Sequence, residues 1–356
     1  MNNCNLIKKN WNGKNLITVI DQQTDSHILI AIHTTQNGRS AGGLRMKRYD
    51  SREAALSDVL NLSAAMTQKF AIANMKWGGA KSVIYLTRDL DENERKQLLI
   101  RFGLILKNLQ GRYYVGPDVG TSSEDMNIIY ETGKPYVFSR TIEAGGAGSS
   151  SIPTAYGVFA GIKTTCKFIF GTDQLKGRSI LIQGLGSVGQ CLQNLLEQEN
   201  AIIYYTETNQ EIIDQVSSKG INAHFIHPEK IYDREYDIFS PCAHGGILNK
   251  NSIQQLKCKG IVGAANNQLH IEEDADFLKL RGILYAPDYV VNLGGAMGIT
   301  SIEAEGFTEI EIIEKIQSTI METLEEVYIT ANADDTNTVK AALKIAQKRL
   351  KYTIDF

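Results

Sequence analysis

The chain has 356 residues, which is more than one ordinary hydrophobic core accommodates, so two domains are expected. Hydrophobic residues make up 43% of the sequence and charged residues 22%, the proportions of a soluble globular protein. The net charge of −3 gives no support to a nucleic-acid-binding surface or a polybasic membrane-binding face.

The five cysteines are an odd number, are widely scattered and include no Cys-x-x-Cys pair. This pattern argues against a disulfide framework and a structural zinc site, and it is typical of a reducing compartment. The N-terminal residues 1–5 are polar, no apolar signal segment follows them, and no apolar run reaches the length of a membrane span. We therefore expect a cytoplasmic protein without a metal.

The first part of the chain mixes predicted strands and helices, an α+β pattern. The apolar run at residues 28–33 predicts a buried strand. Asp50 and Glu53 have the spacing of a capping box at the start of a helix. Apolar residues then recur at helical spacing as far as Met66, and Lys69 lies near the end of this helix.

Lys81 follows the segment Trp77-Gly78-Gly79-Ala80 and leads into an apolar β-type run. With bare backbone beside it, its ammonium group can lose hydration, and desolvation lowers the pKa of a lysine into the range of a usable acid or base. On this segment alone, a surface lysine after a tight turn is the simpler interpretation. A charged helix is predicted from Asp91, and a short strand at 112–115 ends in Gly116-Pro117-Asp118-Val119-Gly120.

From residue 179 the pattern changes to short apolar runs that alternate with helical or turn stretches, which indicates a parallel sheet covered on both faces. The five candidate strands lie at 179–183, 202–206, 238–241, 261–264 and 283–286.

The domain boundary is expected in the stretch 141–153, which is rich in glycine and serine, a composition typical of a hinge or mobile loop; a disordered surface loop is the alternative. We assign 1–145 to a substrate-binding and oligomerisation domain and 146–324 to a Rossmann-type domain. The tail is predicted to be helical, and its end, about 325–356, to pack back on the first domain.

A dinucleotide fingerprint follows the predicted strand 179–183. Gly184, Gly186 and Gly189 form Gly-x-Gly-x-x-Gly before a helix. Such glycines permit a tight turn, a close approach of the pyrophosphate and close packing of the helix, whose N-terminus faces the phosphates. Glu207 ends the next strand, where an acidic residue accepts hydrogen bonds from the ribose hydroxyls and repels a 2′-phosphate, so NAD is favoured over NADP. An ordinary glycine turn is the alternative.

Taken together, these motifs resemble the Glu/Leu/Phe/Val dehydrogenases, a family of amino-acid dehydrogenases, and are most similar to its leucine and phenylalanine dehydrogenases. The segments that carry the resemblance follow the family's order from about residue 40 to 297: 41–46, 65–69, 78–81, 118–121, 151–158, 183–186, 241–243, 263–269 and 286–292.

The resemblance implies reversible oxidative deamination, in which an L-amino acid, NAD+ and water give a 2-oxo acid, ammonia and NADH. In the family, the residues matching Lys69 and Asn292 bind the substrate carboxylate. The residue matching Lys81 activates the water that attacks the imino acid, and the one matching Asp118 shuttles protons at the amine. The residue matching Thr154 contacts the nicotinamide amide.

The resemblance also implies the remaining site residues, a cleft between the two domains and a homo-oligomer. The further substrate residues are Gly42, Gly43, Gly116, Pro117 and Ala296. The further cofactor residues are Gly184, Leu185, Gly186, Ser187, Val188, Gly189, Glu207, Thr208, Cys242, Ala243, Ala264, Asn266 and, in a second role, Asn292.

Elementary electrostatics makes the same allocation sensible for the two lysines and the aspartate. The substrate becomes a cationic iminium after hydride loss, and only a neutral amine can take a proton from the attacking water. Two nearby lysines lower each other's pKa, so Lys69 can stay charged for the carboxylate while Lys81 acts as the base. Asp118 supplies the opposite charge and can exchange a proton itself.

The substrate side chain is the least determined part of the prediction. Gly116 and Ala296 are small residues at the positions that tune this pocket in the family, which favours phenylalanine or another bulky apolar or aromatic amino acid. A leucine- or valine-type enzyme is the alternative, because Leu44, Met66, Val137 or Leu293 could refill the space. Glutamate is disfavoured, since no basic residue is placed to meet a second carboxylate.

Four residues depart from the family pattern: Ala80 stands where a glycine is usual, Gln68 where tyrosine is common, Leu293 where alanine is usual, and His244 where an apolar residue is usual. We expect Ala80 and Leu293 to border the site, and His244 to lie at the rim of the nucleotide-binding domain. A function of another class, an NAD-binding regulatory protein without turnover, predicts loss of Lys69, Lys81 or Asp118, and all three are present.

Overall fold

A computed structural model describes residues 11–218 and 223–353. The polar N-terminal segment and Cys4 lie outside the described residues. The chain divides into two compact units, 1–149 together with 346–356, and 150–345. No helix among the described residues is long and apolar enough to cross a membrane. Within the same residues, no group of three or more His, Cys, Asp or Glu side chains is placed to hold a metal ion.

The first unit contains a five-stranded mixed sheet. Its strands are β1 (Asn15–Asp21), β2 (Ser26–Ile32), β3 (Ser40–Lys47), β4 (Gly78–Tyr85) and β5 (Tyr114–Pro117), in the spatial order β1-β2-β4-β3-β5. β3 pairs in parallel with β4 on one side and with β5 on the other. Residues 136–138 extend the sheet beyond β5 through a parallel bridge between Val115 and Val137.

Helices cover both faces of this sheet. They are α1 (Arg52–Ile72), α2 (Glu92–Asn108) and α3 (Ser123–Gly133). Side chains of α2 and α3 form the main core with one face of the sheet, where Leu44, Ala80 and Val115 are buried. α1 packs on the opposite face, against Val83 and its neighbours. Because side chains alternate along a strand, this second face also carries Lys81.

The second unit has a six-stranded parallel sheet of the doubly wound type. Its strands are β6 (Ser179–Gln183), β7 (Ile202–Thr206), β8 (Ala223–Phe225), β9 (Tyr236–Pro241), β10 (Cys258–Ile261) and β11 (Leu284–Tyr285), in the order β11-β10-β9-β6-β7-β8. The sheet consists of two halves, which run outward from the central strands β6 and β9 to the two edges. This is the strand arrangement of dinucleotide-binding folds.

Helices precede, connect and follow the strands of this second sheet. In chain order they are α4 (Ser151–Phe170), α5 (Ser187–Gln198), α6 (Gln210–Ser218), α7 (Lys250–Gln255), α8 (Asp274–Leu280), α9 (Asp288–Val291), α10 (Gly294–Thr300), α11 (Glu309–Ala333) and α12 (Thr338–Thr353), with a π-turn at Ser301–Glu305 between α10 and α11. The predicted two-domain α/β fold with a Rossmann-type sheet is confirmed.

The bounds of the compact units differ from those expected for the domains. The first unit extends to residue 149 rather than 145, and only residues from 346 onward return to it. Residues 325–345 belong to the second unit because α11 is tied to α4: Tyr328 Oη lies 2.7 Å from Thr165 Oγ1, and Lys167 Nζ lies 2.7 Å from Glu325 Oε1. The substrate and cofactor roles of the two units stay predictions.

Two local expectations are corrected by the structure. The N-cap of α1 is Ser51, whose hydroxyl accepts a hydrogen bond from the Ala54 N–H, so the capping box expected at Asp50 and Glu53 lies one residue too early. The glycine- and serine-rich segment is also folded rather than structureless. The Gly148 N–H donates to the Arg140 carbonyl at 2.9 Å, and the segment's last residues already belong to α4. Its role as a hinge stays a prediction.

Candidate active site

Four neighbouring positions form a row across the first sheet, on the face that carries Lys81; we call it the site face. Gly43 lies opposite Gly116 across β3 and β5, and the pairing of β3 with β4 brings Gly43 beside Lys81. Phe138 follows Gly116 on the other side, because residues 136–138 pair with β5. A lysine therefore stands at one end of the row, a phenylalanine at the other, and bare backbone lies between them.

Lys81 and Asp118 form a nearly buried ion pair on this face. The Lys81 Nζ lies 3.1 Å from Asp118 Oδ2, and the lysine side chain is only 8% exposed. Burial lowers the pKa of Lys81, and the charge of Asp118 offsets this only in part. Burial alone would raise the pKa of Asp118, but the positive charges of Lys81 and Arg45 outweigh it, so that this pKa is lowered. The pair can therefore present a neutral amine beside an ionised carboxylate.

The backbone around Asp118 is fixed by one threonine. The Asp118 N–H donates to Thr121 Oγ1 at 3.0 Å, and the Thr121 hydroxyl donates to the Leu44 carbonyl at 2.8 Å. This ties the turn after β5 to β3, so the carboxylate sits over the site face beside Lys81. Pro117, the last residue of β5, contributes a carbonyl at the same place, 2.9 Å from where a Cβ on Gly43 would lie.

The glycines of β3 are required by close approach rather than by backbone conformation. A Cβ on Gly43 would lie 2.9 Å from Asp118 Cβ and 3.1 Å from Lys81 Nζ. A Cβ on Gly42 would collide with the Ala80 carbonyl at 1.8 Å. By contrast, a Cβ on Gly116 would meet only Phe138 Cβ, at 3.9 Å, which is ordinary van der Waals contact.

Several residues expected near the substrate have other surroundings. Leu44 and Val137 belong to the core on the opposite face of the sheet, so they cannot refill the space beside Gly116. Ala80 is also completely buried in that core and points away from Lys81, so it does not narrow the site.

Lys69 lies in the last turn of α1, which packs on the site face, and is half-buried.

The second unit contains the predicted glycine turn between β6 and α5. Gly184 has a φ of 95°, and a Cβ there would lie 2.7 Å from Ala243 Cβ. A Cβ on Gly189 would collide with the Gly184 carbonyl at 2.1 Å, so this glycine lets the helix pack closely. Nothing lies within 4 Å of a Cβ on Gly186, and no side chain caps α5 there. The turn therefore leaves space and free N–H groups for a pyrophosphate, next to Ser187 and Val188.

Glu207 is held at the end of β7 by backbone donors. Its Oε2 accepts the Leu185 N–H at 2.8 Å, and its Oε1 accepts the Thr208 N–H at 2.7 Å and the Asn209 N–H at 3.1 Å. Burial raises the pKa of Glu207, but these hydrogen bonds outweigh it, so the pKa is lowered and the carboxylate stays charged. The structure thus places an anionic hydrogen-bond acceptor beside the glycine turn.

A cluster of predicted residues lies around Asn292, after α9. The Asn292 Nδ2 donates to Asn266 Oδ1 at 2.8 Å and to the Ala264 carbonyl at 3.3 Å. Cys242 follows β9 and donates its N–H to the Gln183 carbonyl at 2.8 Å. Ala243 is exposed at the end of β9, next to the glycine turn.

Two further residues of the second unit lie at helix starts. Thr154, in the first turn of α4, donates its hydroxyl to the Ser150 carbonyl at 2.7 Å, and a Cβ on Gly295 would lie 2.5 Å from this hydroxyl. Ala296 lies in α10 and is half-buried. Leu293 is buried, whereas His244 is exposed.

Comparison with known proteins decides the family. The protein-family model described as Glu/Leu/Phe/Val dehydrogenase, dimerisation domain, matches residues 20–134. A second family model, described as Glutamate/Leucine/Phenylalanine/Valine dehydrogenase, matches residues 200–355. A leucine dehydrogenase from Thermoactinomyces intermedius is 38% identical, with 96% of this chain and 92% of that protein covered. The chain belongs to the Glu/Leu/Phe/Val dehydrogenase family.

Other members of the family and a solved structure agree with this assignment. A phenylalanine dehydrogenase from Thermoactinomyces intermedius is also 38% identical, over 94% of this chain and 90% of that protein. The crystal structure of L-tryptophan dehydrogenase from Nostoc punctiforme matches with a TM-score of 0.85 and 31% identity, covering 98% of this chain and 99% of that one. The predicted amino-acid dehydrogenase, an oxidoreductase, is confirmed, and the equal identities leave its substrate open.

Membership of the family also indicates the class of cofactor and the presence of an oligomer. Glu/Leu/Phe/Val dehydrogenases are NAD(P)-dependent, so the cofactor is a nicotinamide dinucleotide. The first matching domain is described as a dimerisation domain, which indicates an oligomer.

Sequence reasoning missed three residues of the site face that the structure brings together. Arg45 lies two residues after Gly43 on β3 and contacts Asp118, with its Nε 2.8 Å from Oδ2. Phe138 closes the row, and Tyr114 stacks on it at 5.2 Å between ring centroids. Alternation along β3 could have placed Arg45 on the face of Gly43, but no pattern marks 136–138 as an extension of the sheet.

Proposed function

We propose that this chain is an NAD-dependent dehydrogenase that reversibly deaminates a bulky apolar or aromatic L-amino acid, with phenylalanine as the first candidate. The observation that carries the proposal is the row Lys81, Gly43, Gly116 and Phe138 on the site face. It offers a desolvated base at one end, bare backbone over which a Cα can lie, and space toward an aromatic wall.

Lys81 is proposed as the base that activates water. After hydride loss the substrate carries an iminium, and a water adds to its carbon while its proton moves to a neutral lysine amine. The burial that lowers the pKa of Lys81 supports this role, because it increases the neutral fraction near physiological pH. Its neighbour Gly43 leaves no Cβ between the lysine and the substrate.

Asp118 is proposed to exchange protons with the substrate amine. Its carboxylate is ionised and lies beside the lysine, so it can accept a proton from the substrate ammonium before hydride transfer. Lys69 and Asn292 are proposed to bind the substrate carboxylate, one as a cation and the other as an amide donor. In addition, Ala296 is proposed to line the side-chain pocket.

The cofactor is proposed to be NAD rather than NADP. When bound, NAD+ would supply the acceptor for the hydride that leaves the substrate Cα. Gly184, Gly186 and Gly189 with the start of α5 would hold its pyrophosphate, and Thr154 would contact its amide. The anionic Glu207 supports NAD, because it would accept hydrogen bonds from ribose hydroxyls and repel a 2′-phosphate.

The pocket supports a larger side chain over a smaller one. A residue with a Cβ could stand at position 116 without a collision, so the glycine leaves space unfilled. Phe138, which stacks on Tyr114 and meets Trp77 edge-on at 5.6 Å, would bound that space with an aromatic surface. The same identity to leucine and phenylalanine dehydrogenases keeps a branched aliphatic substrate as the runner-up.

The test is NADH formation from each of the twenty L-amino acids at alkaline pH, with NAD+ and NADP+ compared for the best substrate. We expect the highest kcat/KM with phenylalanine or another aromatic amino acid. A maximum with leucine or valine would favour the runner-up, and activity with glutamate alone would overturn the substrate proposal. Tight NAD binding without turnover of any amino acid would favour a regulatory role.

A homo-oligomer is also proposed, to be checked by light scattering.

A further inference from the structure

Two cations share one oxygen of the Asp118 carboxylate. Lys81 Nζ lies 3.1 Å from Oδ2, and Arg45 Nε donates to the same Oδ2 at 2.8 Å. None of the described residues donates a hydrogen bond to the other oxygen, Oδ1. The carboxylate is therefore held through one oxygen, and the second keeps its lone pairs for another partner.

Arg45 is itself anchored on the far side of its guanidinium. Its NH1 donates to Asp58 on α1 at 2.9 Å, and the Tyr49 hydroxyl donates to the same oxygen of Asp58 at 2.6 Å. The Lys47 ammonium lies 4.5 Å from the centre of the Tyr49 ring. A planar guanidinium can bridge two carboxylates in fixed directions, which a lysine ammonium cannot do. Asp58 and Tyr49 thus set the position from which Arg45 reaches Asp118.

We propose that Arg45, anchored by Asp58 and Tyr49, is the positioning residue of the active site: together with Lys81 it fixes Oδ2 of Asp118 and leaves Oδ1 as the oxygen that exchanges the proton with the substrate amine. The proton passes from the substrate ammonium nitrogen to Oδ1 and returns to the amine when ammonia leaves. No redox change occurs at these residues. The inference rests on the proposed role of Asp118 and adds to it the atom and the residues that orient it.

The same chain of charges acts on Lys81. Asp118 and Asp58 favour its charged form, whereas Arg45 disfavours it. On β2, the residue opposite Lys81 is Ala31. The titratable His33 follows this strand, and its Nδ1 lies 2.9 Å from Thr67 Oγ1.

The remaining charge to consider is Lys69, which is carried by α1 and is present in every variant. Loss of Arg45 should therefore raise the pKa of Lys81, and loss of the Asp58 charge should lower it. A residue with a purely structural role would have neither effect.

The experiment compares Arg45→Lys, Arg45→Gln and Asp58→Asn in the full-length enzyme with its best amino-acid substrate. We expect kcat to fall by roughly 10-fold in Arg45→Lys and by roughly 100-fold, the lower end of a general acid–base contribution, in Arg45→Gln, while KM for NAD+ is unchanged. The rise of kcat/KM with pH should move to higher pH in Arg45→Gln and to lower pH in Asp58→Asn. Opposite shifts of the pH profile in variants of Arg45 and Asp58, the two partners of one ion pair, would support the proposal.

A matched control is Arg101→Lys. Arg101 forms a two-point pair with Asp21 in the same unit, at 2.6 and 2.9 Å, without contact to Lys81 or Asp118. This variant should lower Tm without moving the pH profile. In a further arm, methylguanidinium added to Arg45→Ala should restore activity with saturation, and methylammonium should not.

The outcomes separate this inference from the proposed function. If the wild-type enzyme deaminates amino acids but all Arg45 and Asp58 variants behave as Arg101→Lys does, with lower Tm and an unchanged pH profile, the positioning role is wrong and the proposed function stands. If the wild-type enzyme has no turnover, the proposed function fails first. Should Arg45→Ala not fold, the two pH shifts in the milder variants decide the question.

Discussion

Gly43 and Gly116 lie opposite each other on β3 and β5, yet only one of them has room for a side chain. A methyl group at Gly43 would press on Asp118 Cβ and the Pro117 carbonyl at 2.9 Å, whereas one at Gly116 would only touch Phe138. Gly43→Ala should therefore lower kcat/KM by more than about 100-fold, because it displaces the ion pair that we propose for proton transfer.

Gly116→Ala should leave the fold and kcat nearly intact and change substrate choice instead. The added methyl group shortens the proposed side-chain pocket, so kcat/KM for phenylalanine relative to leucine should fall about 10-fold, the scale of one methylene in an apolar pocket. Gly43→Ala and Gly116→Ala each add one methyl group to the wild-type enzyme, so each variant serves as a control for the other. Equal losses for both substrates in Gly116→Ala would contradict the placement of the pocket.

Phe138 should determine the preference for aromatic side chains. Its ring is fixed by Tyr114 and Trp77, so Phe138→Leu removes a rigid aromatic surface and leaves a smaller, more flexible one. We expect the ratio of kcat/KM for phenylalanine over leucine to fall several-fold, measured by NADH formation. Phe102→Leu, a buried phenylalanine in the core on the other face of the sheet, should lower Tm without changing that ratio.

Lys81 should be essential and should set the lower limb of the pH profile. Because burial lowers its pKa, the neutral form appears below the usual lysine range, and kcat/KM for deamination should rise with pH through that pKa and then level off. Lys81→Met should abolish turnover, by at least about 1,000-fold, while NAD affinity measured by calorimetry is retained. A loss of kcat much smaller than about 1,000-fold in this variant would contradict the role of Lys81 as the base.

The same substitution should make the protein more stable. A lysine whose pKa is lower in the folded state than in the unfolded state destabilises folding at pH values below the folded-state pKa, and this cost disappears above the unfolded-state pKa. Lys81→Met should therefore have a higher Tm than the wild type at neutral pH, with the difference shrinking toward strongly alkaline pH. Asp118 keeps its contact with Arg45 in this variant. A lower Tm at neutral pH would contradict the expected cost of burying the charge.

Glu207 should determine the choice between NAD and NADP. Glu207→Gln removes the charge that would repel a 2′-phosphate, so kcat/KM for NAD+ relative to NADP+ should fall by about 10-fold or more. Glu211→Gln removes a charge four residues away on an exposed face of α6 and serves as the control. If both variants changed the ratio equally, a general field effect would replace the specific contact.

Much of the cofactor site could be predicted from the sequence because its signals are local. The glycine turn, the strand before it and Glu207 at the end of the next strand follow one another within 29 residues, from 179 to 207. The contact between Lys81 and Asp118 could be expected only through the family resemblance, since 37 residues separate them.

The missed elements have physical reasons of their own. β3 has two glycines and two charged residues in eight positions, so it lacks a strand pattern and is defined by its partners β4 and β5. β10 lies three residues earlier than expected, because a Cys-Lys-Gly-Ile run pairs with β9 in place of the more apolar residues after it. Arg45 was recognised as part of a motif, but its two aspartate partners lie on separate elements and become neighbours only in the fold.

The motif Gly78-Gly79-Ala80-Lys81 is continuous in the sequence but belongs to two surfaces in the fold. Lys81 lies on the site face beside Asp118, and Gly79 meets α1 on that face, where a Cβ would lie 2.1 Å from the Thr67 nitrogen. Ala80 faces the opposite core, where its side chain is fully buried. A saturation library at these two neighbouring positions should consequently separate the surfaces: variants at position 81 lose turnover at constant abundance, and variants at position 80 lose abundance at constant specific activity. Ala80, which departs from the family pattern, belongs to the group that affects abundance. Natural substitutions at this position can therefore follow changes in the packing of the core without changing the reaction.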